Sequence, residues 1–201
     1  MRNQDVQSRP SQSESWRIFV AIELPDRVQR QIQKQIQTLQ TEVPGNKASW
    51  SRTENIHLTL KFFGSVGPKR IPQISDAAAR VIKKFSEIEI RIGNTGAFPK
   101  LSQARVLWIG VSDPTGELAR LQELFESECA RAGFEKETRD FKPHLTIARL
   151  RRPEGARALA ESHQKMGFES MTVGVKELVV FRSEPSSKGS RYTVLSRHRI
   201  K

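Results

Sequence analysis

Two of the four histidines in this 201-residue chain stand in nearly the same tetrapeptide, His57-Leu58-Thr59-Leu60 and His144-Leu145-Thr146-Ile147. Imidazole ordinarily titrates near neutrality, so one such ring can start neutral and take a proton while a second starts charged and gives one. Cleavage of a phosphoester by water needs both, one proton leaving the nucleophile and one reaching the departing oxygen. The hydroxyls of Thr59 and Thr146 would add donors for the non-bridging phosphate oxygens, where charge builds in the transition state. The scheme calls for no metal and no cofactor.

The elements around these residues read as strands. Ile56, Leu58, Leu60 and Phe62 alternate with His57, Thr59 and Lys61, the period-two pattern of a half-buried strand, so His57 and Thr59 share one face. The second copy repeats this, with Leu145 and Ile147 toward the core and His144 and Thr146 opposite them. A repeated motif inside two good strand patterns predicts an internal duplication in which each half supplies one active strand to a common cleft.

The rest of the chain supplies the scaffold. Met1 to Ser15 is polar and rich in Ser and Gln, an expected disordered extension, with one folded unit over 16–201. Strands are predicted over Arg17 to Leu24, Ile88 to Ile92, Arg105 to Val111, Thr172 to Phe181 and Arg191 to Ser196. Helices are predicted after Pro25, with Val28, Ile32, Ile36 and Leu39 inward, and over Ile71 to Phe85, with Ile74, Ala78, Val81 and Ile82 inward. Two more are predicted over Gly116 to Ala132 and Glu154 to Met166. Helices and strands mixed in this order suggest an α+β fold with mainly antiparallel pairing. Trp50 and Phe62 could stack a base, but aromatics near a strand are more often core, and that is where both are expected.

Composition narrows the partner. The 34 Lys and Arg outnumber the 22 Asp and Glu, giving a formal charge of +12, which favours a polyanion such as RNA over a small neutral metabolite. The single cysteine, Cys129, excludes an internal disulfide and reads as a small packed hydrophobe within a helix. No apolar run is long enough to span a membrane and no hydrophobic leader opens the chain, so the cytoplasm is the expected compartment. There is no Gly-rich P-loop or dinucleotide fingerprint, and Ser186 to Ser190 reads as a hairpin loop. His163 and His198 fit no metal-ligand spacing and are expected at the surface.

Several spaced segments carry a resemblance: RIFVAIELP at Arg17 to Pro25, TENIHLTLKFFG at Thr53 to Gly64, RVLWIGV at Arg105 to Val111, and FKPHLTIAR at Phe141 to Arg149. Together they resemble the RNA 2′,3′-cyclic phosphodiesterases, the 2′-5′ RNA ligase branch of the two-histidine phosphoesterase superfamily, over about Trp16 to Ser196. The resemblance implies a bilobal α+β fold, two pseudo-twofold-related lobes with outer helices and a central basic cleft. It implies metal-independent hydrolysis of a terminal 2′,3′-cyclic phosphate on RNA to a 2′-phosphate, with 2′-5′ ligation as a minor reverse activity. Carried over by motif, His57 is the proton donor to the departing 3′ oxygen, His144 the base that activates water, Thr59 and Thr146 hold the phosphate, and Arg149 contacts it. Strict alternation, however, turns Arg149 away from His144. A monomer with no protein partner and no membrane association is expected. The alternatives are a non-catalytic RNA or nucleotide-binding module and a phosphodiesterase of small cyclic nucleotides.

Overall fold

A computed structural model describes residues 14–151, 155–186 and 189–200. The predicted extension therefore lies outside the described residues except for Glu14 and Ser15. Nine strands and four longer helices alternate: β1 (Trp16–Glu23), α1 (Asp26–Glu42), β2 (Ala48–Trp50), β3 (His57–Val66), α2 (Ile71–Ile82), β4 (Glu89–Phe98), β5 (Val106–Ser112), α3 (Glu117–Arg131), β6 (His144–Leu150), α4 (Ala156–Met166), β7 (Met171–Gly174), β8 (Glu177–Ser186) and β9 (Gly189–Arg199). They form two antiparallel sheets, one ordered β3-β1-β8-β9 and the other β2-β6-β5-β4-β7.

The helices bury the faces their periodicity predicts. Val28, Ile32, Ile36 and Leu39 of α1 and Ile74, Ala78, Val81 and Ile82 of α2 are inward. α2, with α3 against it, backs the first sheet, while α4, with α1 against it, backs the second. One continuous apolar cluster fills the space between helices and sheets. This leaves the opposite face of each sheet free to line a cleft.

Two expectations change. The strand predicted over Thr172 to Phe181 is two strands in different sheets: β7 pairs with β4, β8 pairs with β1 and β9, and the chain crosses at Val175, whose N–H donates to the Ile88 carbonyl at 2.8 Å. The lobes are consequently not consecutive halves. The first sheet draws β1 and β3 from the start of the chain and β8 and β9 from its end, so each motif strand is locked by partners distant in sequence. Among the described residues, no helix is long and apolar enough to cross a membrane.

Candidate active site

The two motif strands pack against each other across the sheets and line one cleft of about 380 Å³ with His57, Thr59, His144, Thr146 and Arg149. All five residues singled out in the sequence thus meet in one place, Arg149 included.

Arg149 reaches the cleft because β6 is bulged. Thr146 pairs with Trp108 and Ala148 with Leu107, which leaves Ile147 as an extra residue and reverses the alternation beyond it. Ala148 is fully buried and Arg149 faces out. β3 has the same irregularity in the same place. Thr59 pairs with Ala21 and Lys61 with Val20, so Leu60 is the extra residue, Lys61 turns inward and Phe62 turns to the cleft. Phe62 is therefore not a core residue as its pattern suggested but 49% exposed. Trp50 does pack against the core.

The two imidazoles have different surroundings. His57 lies on an aromatic bed, its ring stacked on Phe19 at 4.6 Å, with Tyr192 edge-on at 5.3 Å and Phe181 at 6.0 Å. Burial among these rings disfavours the charged form and pushes His57 down to about 4, against an opposing backbone hydrogen bond with Asn55 and the charge of Glu23. His57 is therefore neutral at physiological pH. The His144 Nδ1–H donates to the Lys142 carbonyl at 2.7 Å, which fixes the ring and leaves Nε2 as the acceptor of the neutral imidazole. Phe98 meets its other side edge-on at 5.1 Å. Trp108, the cross-strand partner of Thr146, lies across Gly96, where a Cβ would collide with the indole.

Electrostatics of the rim come from an irregular stretch, residues 135–143, that contributes Glu137, Arg139, Asp140, Phe141 and Lys142 to the cleft. A buried ion pair ties it down. Lys61 Nζ contacts Glu126 Oε2 at 2.7 Å and donates to the Glu135 carbonyl at 2.8 Å, and the same Glu126 oxygen accepts the Glu137 N–H at 3.2 Å. Arg139 in turn holds the Glu137 carboxyl down at about 2 through their hydrogen bond.

Several of these residues carried no signal in sequence reasoning. Phe19 comes from β1, and Phe181 and Tyr192 from the paired strands β8 and β9 at the other end of the chain. The one available hint was that Ile18 to Ile22 is apolar at every position, as in a strand covered on both faces. His163, expected at the surface, is fully buried: its Nε2 lies 3.0 Å from the Trp108 carbonyl and its Nδ1 3.3 Å from Gln35 Nε2. It braces the strand next to β6 from behind. His198 is partly buried against Ser75 and Ser196, away from the cleft. Cys129 is buried and its thiol is pushed up to about 12 by burial, an unreactive group. Among the described residues no group of three or more His, Cys, Asp or Glu side chains could hold a metal ion.

Comparison with known proteins points to the same chemistry. A family model described as the 2′-5′ RNA ligase superfamily matches residues 25–186. A protein of Methanothermobacter thermautotrophicus named RNA 2′,3′-cyclic phosphodiesterase is 31% identical over 185 residues, covering 92% of this chain and 98% of its own. One of the same name from Archaeoglobus fulgidus is 34% identical over 172 residues, covering 85% and 90%. Among solved structures, that of Escherichia coli LigT complexed with 3′-AMP superimposes with a TM-score of 0.70 at 25% identity, covering 94% of this chain and 99% of that one.

Proposed function

The chain belongs to the 2′-5′ RNA ligase superfamily, and from that premise we propose that it is a hydrolase that opens 2′,3′-cyclic phosphate ends of RNA to 2′-phosphomonoesters. The observation that carries this is the meeting of two H-x-T strands, one from each sheet, in a single cleft. Relatives spanning nearly the whole chain bear the name of this activity, and a structural neighbour holds a nucleotide monophosphate.

The residues divide the work as follows. His144, its Nδ1–H engaged by the Lys142 carbonyl, takes a proton from water at Nε2. The water oxygen forms its bond to phosphorus as the bond from phosphorus to the 3′ oxygen breaks. His57 returns a proton to that oxygen, and the phosphate stays on the 2′ oxygen. Since burial keeps His57 neutral at physiological pH, the negative charge of the bound phosphate must raise its pKa before it can serve as the donor. Thr59 and Thr146 donate hydroxyl hydrogen bonds to the non-bridging oxygens, and the Arg149 guanidinium offsets the developing charge. With an RNA 5′ hydroxyl in place of water, the same two histidines keep these roles: His144 takes the hydroxyl proton, the 5′ oxygen bonds to phosphorus as the 3′ oxygen leaves with a proton from His57, and slow 2′-5′ joining is a minor activity. The single buried thiol suits a reducing cytoplasm, and we take the monomer as the working unit because both motif strands come from one chain.

The test is to incubate purified protein with an RNA ending in 2′,3′-cyclic phosphate, with and without a chelator, and identify the monoester. A 2′-phosphate formed at equal rates in both is expected. A 3′-phosphate, or a rate lost in chelator and restored by a divalent ion, would overturn the scheme.

A further inference from the structure

Phe62 is a ridge between two cavities. On one side lies the catalytic cleft, and on the other a groove of about 620 Å³, which shares Lys61, Phe62 and Glu137 with the cleft. A large apolar ring that is 49% exposed on such a ridge gains from a flat apolar partner, and the groove beyond offers a second platform of the same kind. There the Arg70 guanidinium lies 4.0 Å from the centre of the Phe134 ring, and the Ala132 and Gly133 carbonyls accept its Nη2 hydrogens at 3.1 and 3.0 Å. Its plane is thereby fixed as a surface on which a base can stack.

The charges of the groove also suit a nucleotide. Lys61 is spent on Glu126, and Glu137 on Arg139. Arg70 and the exposed Lys136 remain on the lining beside one uncommitted acid, Glu135, together with the hydroxyls of Ser65 and Thr138. The Arg17 guanidinium of β1, whose strand partner Ser65 lines the groove, stands 5.4 Å from the Phe62 ring centre. Aromatic or guanidinium planes alternating with cations are what a single strand of RNA needs, because every base has a π-face and every linkage a phosphate.

We propose that this groove receives the nucleotide on the 5′ side of the one bearing the cyclic phosphate, with Phe62 as the stacking ridge, Arg70 on Phe134 as the second platform, and Lys136 as the phosphate contact. The assignment rests on reading the cleft as the cyclic-phosphate site. It makes the ligand an RNA chain of at least two nucleotides rather than a free cyclic mononucleotide.

The experiment compares kcat and KM for a mononucleoside 2′,3′-cyclic phosphate and for a trinucleotide with the same end, in the wild type, Lys136→Glu, Phe62→Ala and Phe62→Trp. One base stack and one phosphate contact should give the wild type a KM about tenfold lower for the trinucleotide. Lys136→Glu should raise the trinucleotide KM about fivefold more than the mononucleotide KM, Phe62→Ala should shrink the length preference, and Phe62→Trp should restore it. Equal KM values for the two substrates in the wild type, or variants that raise both in proportion, would overturn the groove while leaving the cleft intact. Turnover of neither substrate would overturn the cleft's reading itself, and the groove with it.

Discussion

Phe62 and Arg149 occupy equivalent places in two copies of one bulged strand: each stands five residues after its motif histidine, and each is turned to the cleft by an extra residue just past the motif threonine. The duplication therefore extends beyond the histidines and threonines to the backbone irregularity itself. What differs is the side chain, an aromatic from one sheet and a cation from the other. One cleft thus carries the same backbone irregularity twice, with an aromatic wall from one sheet and a cationic wall from the other.

Arg149→Gln is expected to lower kcat/KM by roughly 10- to 100-fold, since a charge-assisted contact with the developing phosphate charge contributes about 1.5–3 kcal/mol. Arg149→Lys should recover only part, because a point charge does not reproduce the planar fork. Steady-state kinetics of both variants check this, and wild-type rates for Arg149→Gln would place the side chain outside the reaction.

Replacing either motif histidine by alanine should lower turnover by roughly 10² to 10⁴-fold, the range for one acid or base. Both rings lie on the cleft face rather than in the main apolar cluster, so circular dichroism should show an intact fold. Full activity in either variant would refute the paired mechanism.

How much of this was legible in the sequence depends on whether the cause was local. The alternation around His57 and His144, and the inward residues of α1 and α2, follow from side-chain periodicity and were readable. The break at Val175 was missed although Gly174 and the charged pair Lys176-Glu177 interrupt the apolar residues there, because which side pairs with β4 and which with β1 is set by strands far away in the chain. Arg149 and Phe62 were misplaced for a related reason: a bulge is a property of a strand pair, and no residue in HLTLKFF or HLTIAR announces it. His163 was misjudged because its partners, Gln35 and the Trp108 carbonyl, lie far away in the chain.

The His57 pKa yields a pH prediction with a definite sign. Its folded value, near 4, lies below the unfolded value of 6.5, so the unfolded chain binds the extra proton first. The stability tied to the neutral ring is fully present above pH 6.5 and is lost as pH falls toward 4. His57→Asn should accordingly lose less stability than the wild type between pH 6.5 and 4 in urea denaturation. By the same linkage, a nucleoside 2′-phosphate should raise the His57 pKa and bind more tightly as pH falls from 7 to 5. NMR titration of the His57 ring with and without that ligand reads this directly, and a pKa unchanged by the ligand would remove His57 as the donor.

Lys61 and Glu126 are each 4% exposed in their side chains, so deleting one partner strands a buried charge. Lys61→Met should cost about 3–5 kcal/mol of stability. The double variant Lys61→Met with Glu126→Met should cost less than the sum of the singles, because two apolar side chains leave no charge behind. Lys61→Met should also raise KM, since the Glu135 carbonyl and the wall of residues 135–143 lose their anchor. Additive losses in urea denaturation, with KM unmoved, would show that the pair neither couples nor positions that wall.

The final prediction joins charge to reaction. With a net charge of +12 and cations beside the cleft, an RNA chain should gain phosphate contacts that a cyclic mononucleotide lacks, and each such contact releases counterions. For single strands each contact steepens the dependence of log affinity on log salt by about 0.7, so two contacts predict an affinity loss of about sevenfold between 50 and 200 mM salt. The KM of a cyclic-phosphate-ended oligonucleotide should rise by that much more than the KM of the mononucleoside 2′,3′-cyclic phosphate, with kcat nearly constant for both, because the contacts that salt weakens hold the strand rather than the reacting phosphate. Parallel salt dependences would instead mean that binding is confined to the H-x-T cleft and that a small cyclic nucleotide satisfies the site as fully as RNA does.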